Sequence, residues 1–252
     1  MKNHFAEALK EAYLEPVGWC RSKREGKSVG YDGMPLPWFT YGAIELLSIV
    51  VRSDDRVFEY GSGQSTLWWQ ARVKEIVSVE NDESWRDKLG PQLGLNAKVI
   101  YVSAHAEVYG PAATSVNKFF ERARDPEPSS YASEKITRRG LDDASFRGYA
   151  TEIARHNPPF DIVVIDGMAR RLCAQMSVEC LADDGIIVLD NSNRGDYKLC
   201  FDIFREHNFI HIPLWGLVPG ADFYTCTSLF FRNVKRMPAS AFTPNTFSLP
   251  QY

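Results

Sequence analysis

Five short apolar runs constrain this chain more than any other feature. They lie at residues 56–60, 76–79, 99–102, 161–165 and 185–189. None shows the polar–apolar alternation of a half-exposed strand, so each reads as a strand buried on both faces, as in a parallel sheet. Helical segments separate several of them. Residues 66–73 follow the first run. Residues 170–181 lie between the fourth and fifth, with Leu172, Met176 and Cys180 on one face. Residues 196–207, with Leu199, Ile203 and Phe204, follow the fifth. Strand alternating with helix specifies an α/β protein with an open, doubly wound, Rossmann-like sheet. Two further runs, 209–215 and 223–231, are joined by Gly216-Leu217-Val218-Pro219-Gly220, which is too short for a helical crossover. They should pair antiparallel.

The remaining segments frame this sheet. Residues 3–15 read as an amphipathic helix capped by Asn3, residues 16–37 as irregular Gly/Pro-rich chain, and 38–51 as a second helix. About fifty residues separate the third strand from the fourth. Within them, 118–147 carry 13 charges of both signs. A connection of this length is either a functional lid or a passive surface segment. The expected organisation is a helical extension over 1–52, a ligand-binding domain over 53–235 with an insertion at about 106–158, and a tail over 236–252.

Charge excludes some partners. Lys and Arg total 29 and Asp and Glu 32, a net charge of −3. A protein held to nucleic acid by phosphate contacts is usually basic, so a nucleic-acid partner is not expected. Neither a signal-peptide apolar region nor an apolar run of membrane-spanning length is present, so no membrane partner is expected. The five cysteines, dispersed and without a CxxC pair, suit reduced thiols in the cytoplasm. The N-terminal helices could serve an interface between copies of the chain.

The first strand runs into Glu59-Tyr60-Gly61-Ser62-Gly63-Gln64-Ser65-Thr66. Glycines at this turn let the backbone bend tightly and let a ligand approach it at the carboxyl end of the sheet, with Ser65 as the natural cap of the following helix. A dinucleotide fingerprint needs a third glycine, but Thr66 stands there. Glu59, two residues before the first glycine, opposes a pyrophosphate and suits a cation; S-adenosylmethionine, with its ammonium and sulfonium, fits that field. Glu80, 21 residues on at the end of the second strand, is placed to accept both ribose hydroxyls, with Asn81 beside it.

These motifs, together with Phe160-Asp161-Ile162-Val163-Val164-Ile165-Asp166-Gly167 and Gly185-Ile186-Ile187-Val188-Leu189-Asp190, resemble the class I S-adenosylmethionine-dependent methyltransferases over roughly residues 40–232. The resemblance implies a seven-stranded sheet with an antiparallel last strand. It implies that Glu59, Gly61, Ser62, Gly63, Ser65 and Asp166 surround the methionine part, that Glu80 and Asn81 hold the ribose, and that Ser103 and Ala104 lie near the adenine. Asp166 with Asp190 and Asn191, 24 residues later, is similar to the Asp…Asp-Asn set of the catechol-type, metal-dependent O-methyltransferases. Two carboxylates and an amide oxygen suit Mg²⁺ or another divalent cation. The lysine base of those enzymes is missing, since Arg170 and Arg171 occupy that stretch and arginine is no base at neutral pH. Each could instead hold an acidic substrate or pair with a carboxylate. Asp166 and His105 are the candidate catalytic groups.

The expected activity is methyl transfer from S-adenosylmethionine to a small molecule, at a hydroxyl oxygen, with the metal as a further component. Two other readings stay open: a NAD-dependent oxidoreductase on a similar sheet, and a cofactor-binding protein without turnover.

Overall fold

The computed structural model describes residues 2–108, 112–123 and 143–236. Seven strands form one sheet: β1 (Arg56–Tyr60), β2 (Glu75–Glu80), β3 (Ala97–Tyr101), β4 (Phe160–Ile165), β5 (Leu181–Leu189), β6 (Ile210–Leu217) and β7 (Tyr224–Phe231). Their order is β3-β2-β1-β4-β5-β7-β6. The first five strands are parallel, and β7 runs antiparallel to both β5 and β6. This is the doubly wound sheet the apolar runs require, with the hairpin at its edge. It is the class I methyltransferase fold that the motifs resemble.

Helices cover both faces: α1 (Lys2–Leu9), α2 (Trp19–Glu25), α3 (Tyr41–Val50), α4 (Gln64–Gln70), α5 (Glu83–Leu89), α6 (Ala112–Ala123), α7 (Arg147–Thr151), α8 (Arg170–Cys180) and α9 (Lys198–Glu206). Alternation along each strand divides the core into two layers. On one face Phe58, Tyr60, Val163, Ile165, Ile187 and Leu189 pack against α6 to α9. On the other, Val57, Ile76, Ile162, Val164, Ile186 and Val188 pack against α3 and α4, with Trp68 and Trp69 wholly buried. Each fully buried large side chain contributes about 1.5–3 kcal/mol. Among the described residues no helix is long and apolar enough to cross a membrane. All five cysteines are free, and four of them are buried.

Two local expectations need correction. The segment 16–37 is not wholly irregular, because α2 lies within it between two left-handed glycines, Gly18 (φ 85°) and Gly26 (φ 63°). Glycine is the residue that enters that region without a Cβ penalty, so the two stop signals bracket a helix. Ser65 does not cap α4; the cap is Gly63, whose N–H donates to the Thr66 hydroxyl (3.0 Å). The long insertion is partly helical. Its α6 docks on the neighbouring helices through Phe119 in the core and a two-pronged Arg122–Glu206 pair (2.7 and 2.6 Å). Residues 124–142, which hold most of the charge run, lie outside the described residues.

At the end of the sheet away from the glycine loop, Asp55 caps the turn before β1 by accepting from the Arg52 N–H (2.8 Å). It is also ion-paired to the fully buried Arg236, which brings the far end of the described chain under the central strand.

Candidate functional site

The carboxyl ends of β1, β2, β4 and β5 open into a cleft of about 430 Å³. Its lining includes Glu59, Gly61, Ser62, Ser65, Glu80 and Asn81 at one end. Asp166, Arg170, Arg171 and Arg194 lie at the other.

Glu59 is the most unusual residue of the site. Strand alternation puts it on the α4 face beside Ser78, its register partner on β2. It is 1 % exposed. Thr66 Oγ1 (2.6 Å) and Ser78 Oγ (2.7 Å) both donate to its Oε2. Its Oε1 has no hydrogen-bond partner among the described residues. No cation faces it within ion-pairing distance among those residues. Burial pushes its carboxyl up to about 7, against the hydroxyls of Ser65, Thr66 and Ser78 that hold it down. A buried carboxylate oxygen without a partner costs about 1–3 kcal/mol or more. A bound ammonium or sulfonium would remove that cost, so the chemistry of this end fits the expected cofactor.

Glu80 is ordered for reception. Ser62 Oγ donates to its Oε2 (2.8 Å), and the N–H groups of Asn81 (2.8 Å) and Asp82 (3.0 Å) donate to its Oε1. The glycine loop is held from outside by Trp85 of α5, whose indole N–H donates to the Ser62 carbonyl (2.9 Å). It is held from inside by Gly167, on which Gly61 (φ 98°) closes. A Cβ on Gly167 would stand 2.0 Å from the Tyr149 hydroxyl and 2.8 Å from Gly61 N. Trp85 and Tyr149 escape a motif reading because they are set by packing across separate elements.

At the other end the carboxyls meet a guanidinium. Arg170 Nη2 is 2.8 Å from Asp166 Oδ1. Burial raises the Asp166 carboxyl, and the charge of Arg170 pulls it back. Burial, and then the Asp166 carboxylate, push Asp190 up to about 7. Arg171 pairs with the buried Asp143 at 2.5 Å. Both arginines therefore hold carboxylates of the protein itself. Arg194, exposed on the loop after β5, makes no ion pair among the described residues, and its field reaches Asp166.

Of the three expected metal ligands, the Asp166 and Asp190 carboxyls stand within reach of one another. Only Asp166 lines the cleft. Asp190 is buried and its Oδ1 accepts from Thr227 (2.7 Å), while the Asn191 amide is turned to Thr225 (3.5 Å). Among the described residues no group of three or more His, Cys, Asp or Glu could hold a metal ion. The positive charge beside Asp166 is supplied by the Arg170 guanidinium.

The remaining expected residues lie elsewhere. Ser103 borders a second cavity with Tyr101, Glu107, Glu152 and Arg155. Ala104 is exposed and lines neither cavity. His105, in a left-handed turn (φ 63°), borders a third cavity with Val116 and Arg147. None of the three meets Asp166 in the main cleft.

No protein-family profile and no characterised protein sequence matches the chain. Solved structures are similar in fold. An O-methyltransferase from Bacillus cereus in complex with SAH is 12% identical, with 90% of this chain and 96% of that one aligned and a TM-score of 0.47. A methyltransferase-like protein from Silicibacter pomeroyi is 17% identical over 78% of this chain and 89% of that one, TM-score 0.46. A precorrin-6y C5,15-methyltransferase from Geobacter metallireducens is 12% identical over 76% and 87%, TM-score 0.45.

Proposed function

We propose that the protein is an S-adenosylmethionine-dependent methyltransferase acting on a hydroxyl oxygen of a small molecule in the cytoplasm. The observation that carries this reading is Glu59, a buried carboxylate at the glycine loop with one oxygen unpartnered. In a site of low dielectric such a group selects a cation and repels a pyrophosphate. This favours S-adenosylmethionine over a nicotinamide dinucleotide.

When bound, S-adenosylmethionine supplies an electrophilic methyl group on its sulfonium. The work of the chain is to hold it and to orient the acceptor, since in-line transfer is mostly a matter of geometry. Glu59 and the glycine loop hold the amino-acid end. Glu80, already fixed by three donors, accepts from the ribose hydroxyls. A hydroxyl acceptor must lose a proton, and of the two candidate bases Asp166 lines the cleft whereas His105 does not. Asp166 is therefore assigned as the general base. Met168, Arg171, Arg194 and Tyr197 form the wall available to the acceptor.

Calorimetry with S-adenosylhomocysteine and with NAD tests the cofactor. The expected result is micromolar binding of the first, about −8 kcal/mol, and none of the second; the reverse would overturn the reading. Transfer of labelled methyl from S-adenosylmethionine to a panel of small hydroxylated acceptors tests turnover. Cofactor binding with no transfer to any hydroxyl would leave a binding protein.

A further inference from the structure

We propose that Arg170 takes the place of the expected divalent cation. Its fixed guanidinium joins the carboxyl ends of β4 and β5, and the site works without a metal. The inference rests on the proposed reading of this cleft as a cofactor site.

The geometry is that of a rivet. Nε donates to the Gly167 carbonyl (3.0 Å), Nη1 to the Asp190 carbonyl (2.6 Å), and Nη2 to both the carbonyl (2.7 Å) and Oδ1 (2.8 Å) of Asp166. Four of the five guanidinium N–H groups are thereby used. The group also lies against the Tyr197 ring, 5.5 Å from its centroid. The Arg170 side chain is 9 % exposed.

Helix energetics do not account for this placement. Ala169 (φ 47°) caps α8 and Arg170 is its first residue, where the helix dipole disfavours a cation. Asp166 and the backbone carbonyls of two strand ends supply the compensation instead.

The same contacts oppose a metal. Mg²⁺ demands a near-octahedral oxygen shell at about 2.1 Å. Asp166 Oδ1 is held by Arg170 and Asp190 Oδ1 accepts from Thr227. A divalent ion at Asp166 would stand against a guanidinium that cannot lose its charge, and displacing that guanidinium would strand four acceptors. Arg170 is thus a positioning residue. It holds Asp166 and the Asp166-Gly167 turn, the turn on which Gly61 of the glycine loop closes.

The test uses the full chain after dialysis against EDTA. Titration with MnCl₂, followed by electron paramagnetic resonance, should show no saturable site tighter than about 1 mM. S-adenosylhomocysteine affinity should be equal in EDTA and in MgCl₂. One bound Mn²⁺ per chain, lost in Asp166→Asn, would overturn the proposal. In Arg170→Ala the S-adenosylhomocysteine affinity should fall about tenfold or more. Added guanidinium ion should restore it and equal KCl should not, with Arg170→Lys partly retaining it. An unchanged affinity, or a loss that guanidinium does not repair in a variant with native circular dichroism, would also overturn it. Should Arg170→Ala not fold, Arg170→Lys and the wild-type Mn²⁺ titration still decide. Failure of the wild type to bind S-adenosylhomocysteine would instead count against the proposed function, and the Mn²⁺ result stands apart from it.

Discussion

The two ends of the cleft treat negative charge in opposite ways. At the glycine loop, Glu59 and Glu80 are met by hydroxyls and backbone N–H groups, all uncharged. At the ends of β4 and β5, Asp166 is met at 2.8 Å by the guanidinium of Arg170. The first end keeps its charge and leaves it for a ligand to neutralise. The second has its charge balanced by the protein before any ligand arrives, with one oxygen of Asp166 held by Arg170. The difference teaches that four acids at equivalent strand ends are not four equivalent sites; the partner of each acid decides what it can bind.

The seam between the two ends is the most sensitive place to break this contrast. Gly167→Ala puts a Cβ 2.0 Å from the Tyr149 hydroxyl and 2.8 Å from Gly61 N. It should cost about 3 kcal/mol, read as a lower urea midpoint. Tyr149→Phe in that background should recover only part, because the clash with the Gly61 backbone persists.

Glu59→Gln keeps the shape and removes the charge. S-adenosylhomocysteine should bind about 100-fold more weakly, by calorimetry. The empty protein should meanwhile become more stable at pH 8. The folded-state value of about 7 lies above the ordinary 4.5. The folded state therefore binds the extra proton, and its stability falls as pH rises between those two values. Removing the titration removes a penalty fully present above pH 7, of order 1–3 kcal/mol.

Ligand affinity should follow the same carboxyl. Lowering the pH from 8 to 6 protonates Glu59 in the free protein, so affinity should drop about tenfold; the dependence should vanish in Glu59→Gln. Glu80→Gln, which retains an acceptor for the Asn81 and Asp82 N–H groups, should cost about fivefold. The smallest effect is expected at Arg194, which makes no ion pair among the described residues. Arg194→Ala should raise KM for an anionic acceptor about threefold with kcat unchanged.

Much of this architecture was legible from the order of residues. β1 coincides with its apolar run, and the remaining strands differ from theirs mainly at their ends, because burial on both faces leaves little choice of element. The four acids were legible as strand-end residues of a recognisable motif. Their partners were not. Thr66 and Ser78 reach Glu59 from a helix and from the next strand, and Arg170 reaches back from the first turn of α8 to two strands at once. Such contacts depend on which way a side chain turns once the sheet exists. The neighbours of the expected metal set were hidden for that reason too: Thr227 on β7 donates to one oxygen of Asp190, and the Asn191 amide N–H faces Thr225. The helix α2 was hidden by the glycines that delimit it, since a Gly-rich stretch reads as loop.

The pairing of Asp55 with Arg236 has a mechanical consequence. Residue 236 follows β7 by five residues, so tension applied there is shared between the β6–β7 hairpin and the ion pair. The share carried by the pair enters through Asp55 at the foot of β1, a strand with a parallel neighbour on each side. The chain is thus clasped at the end of the sheet opposite the cleft, and an anchor fixed there would load an interior strand together with the edge.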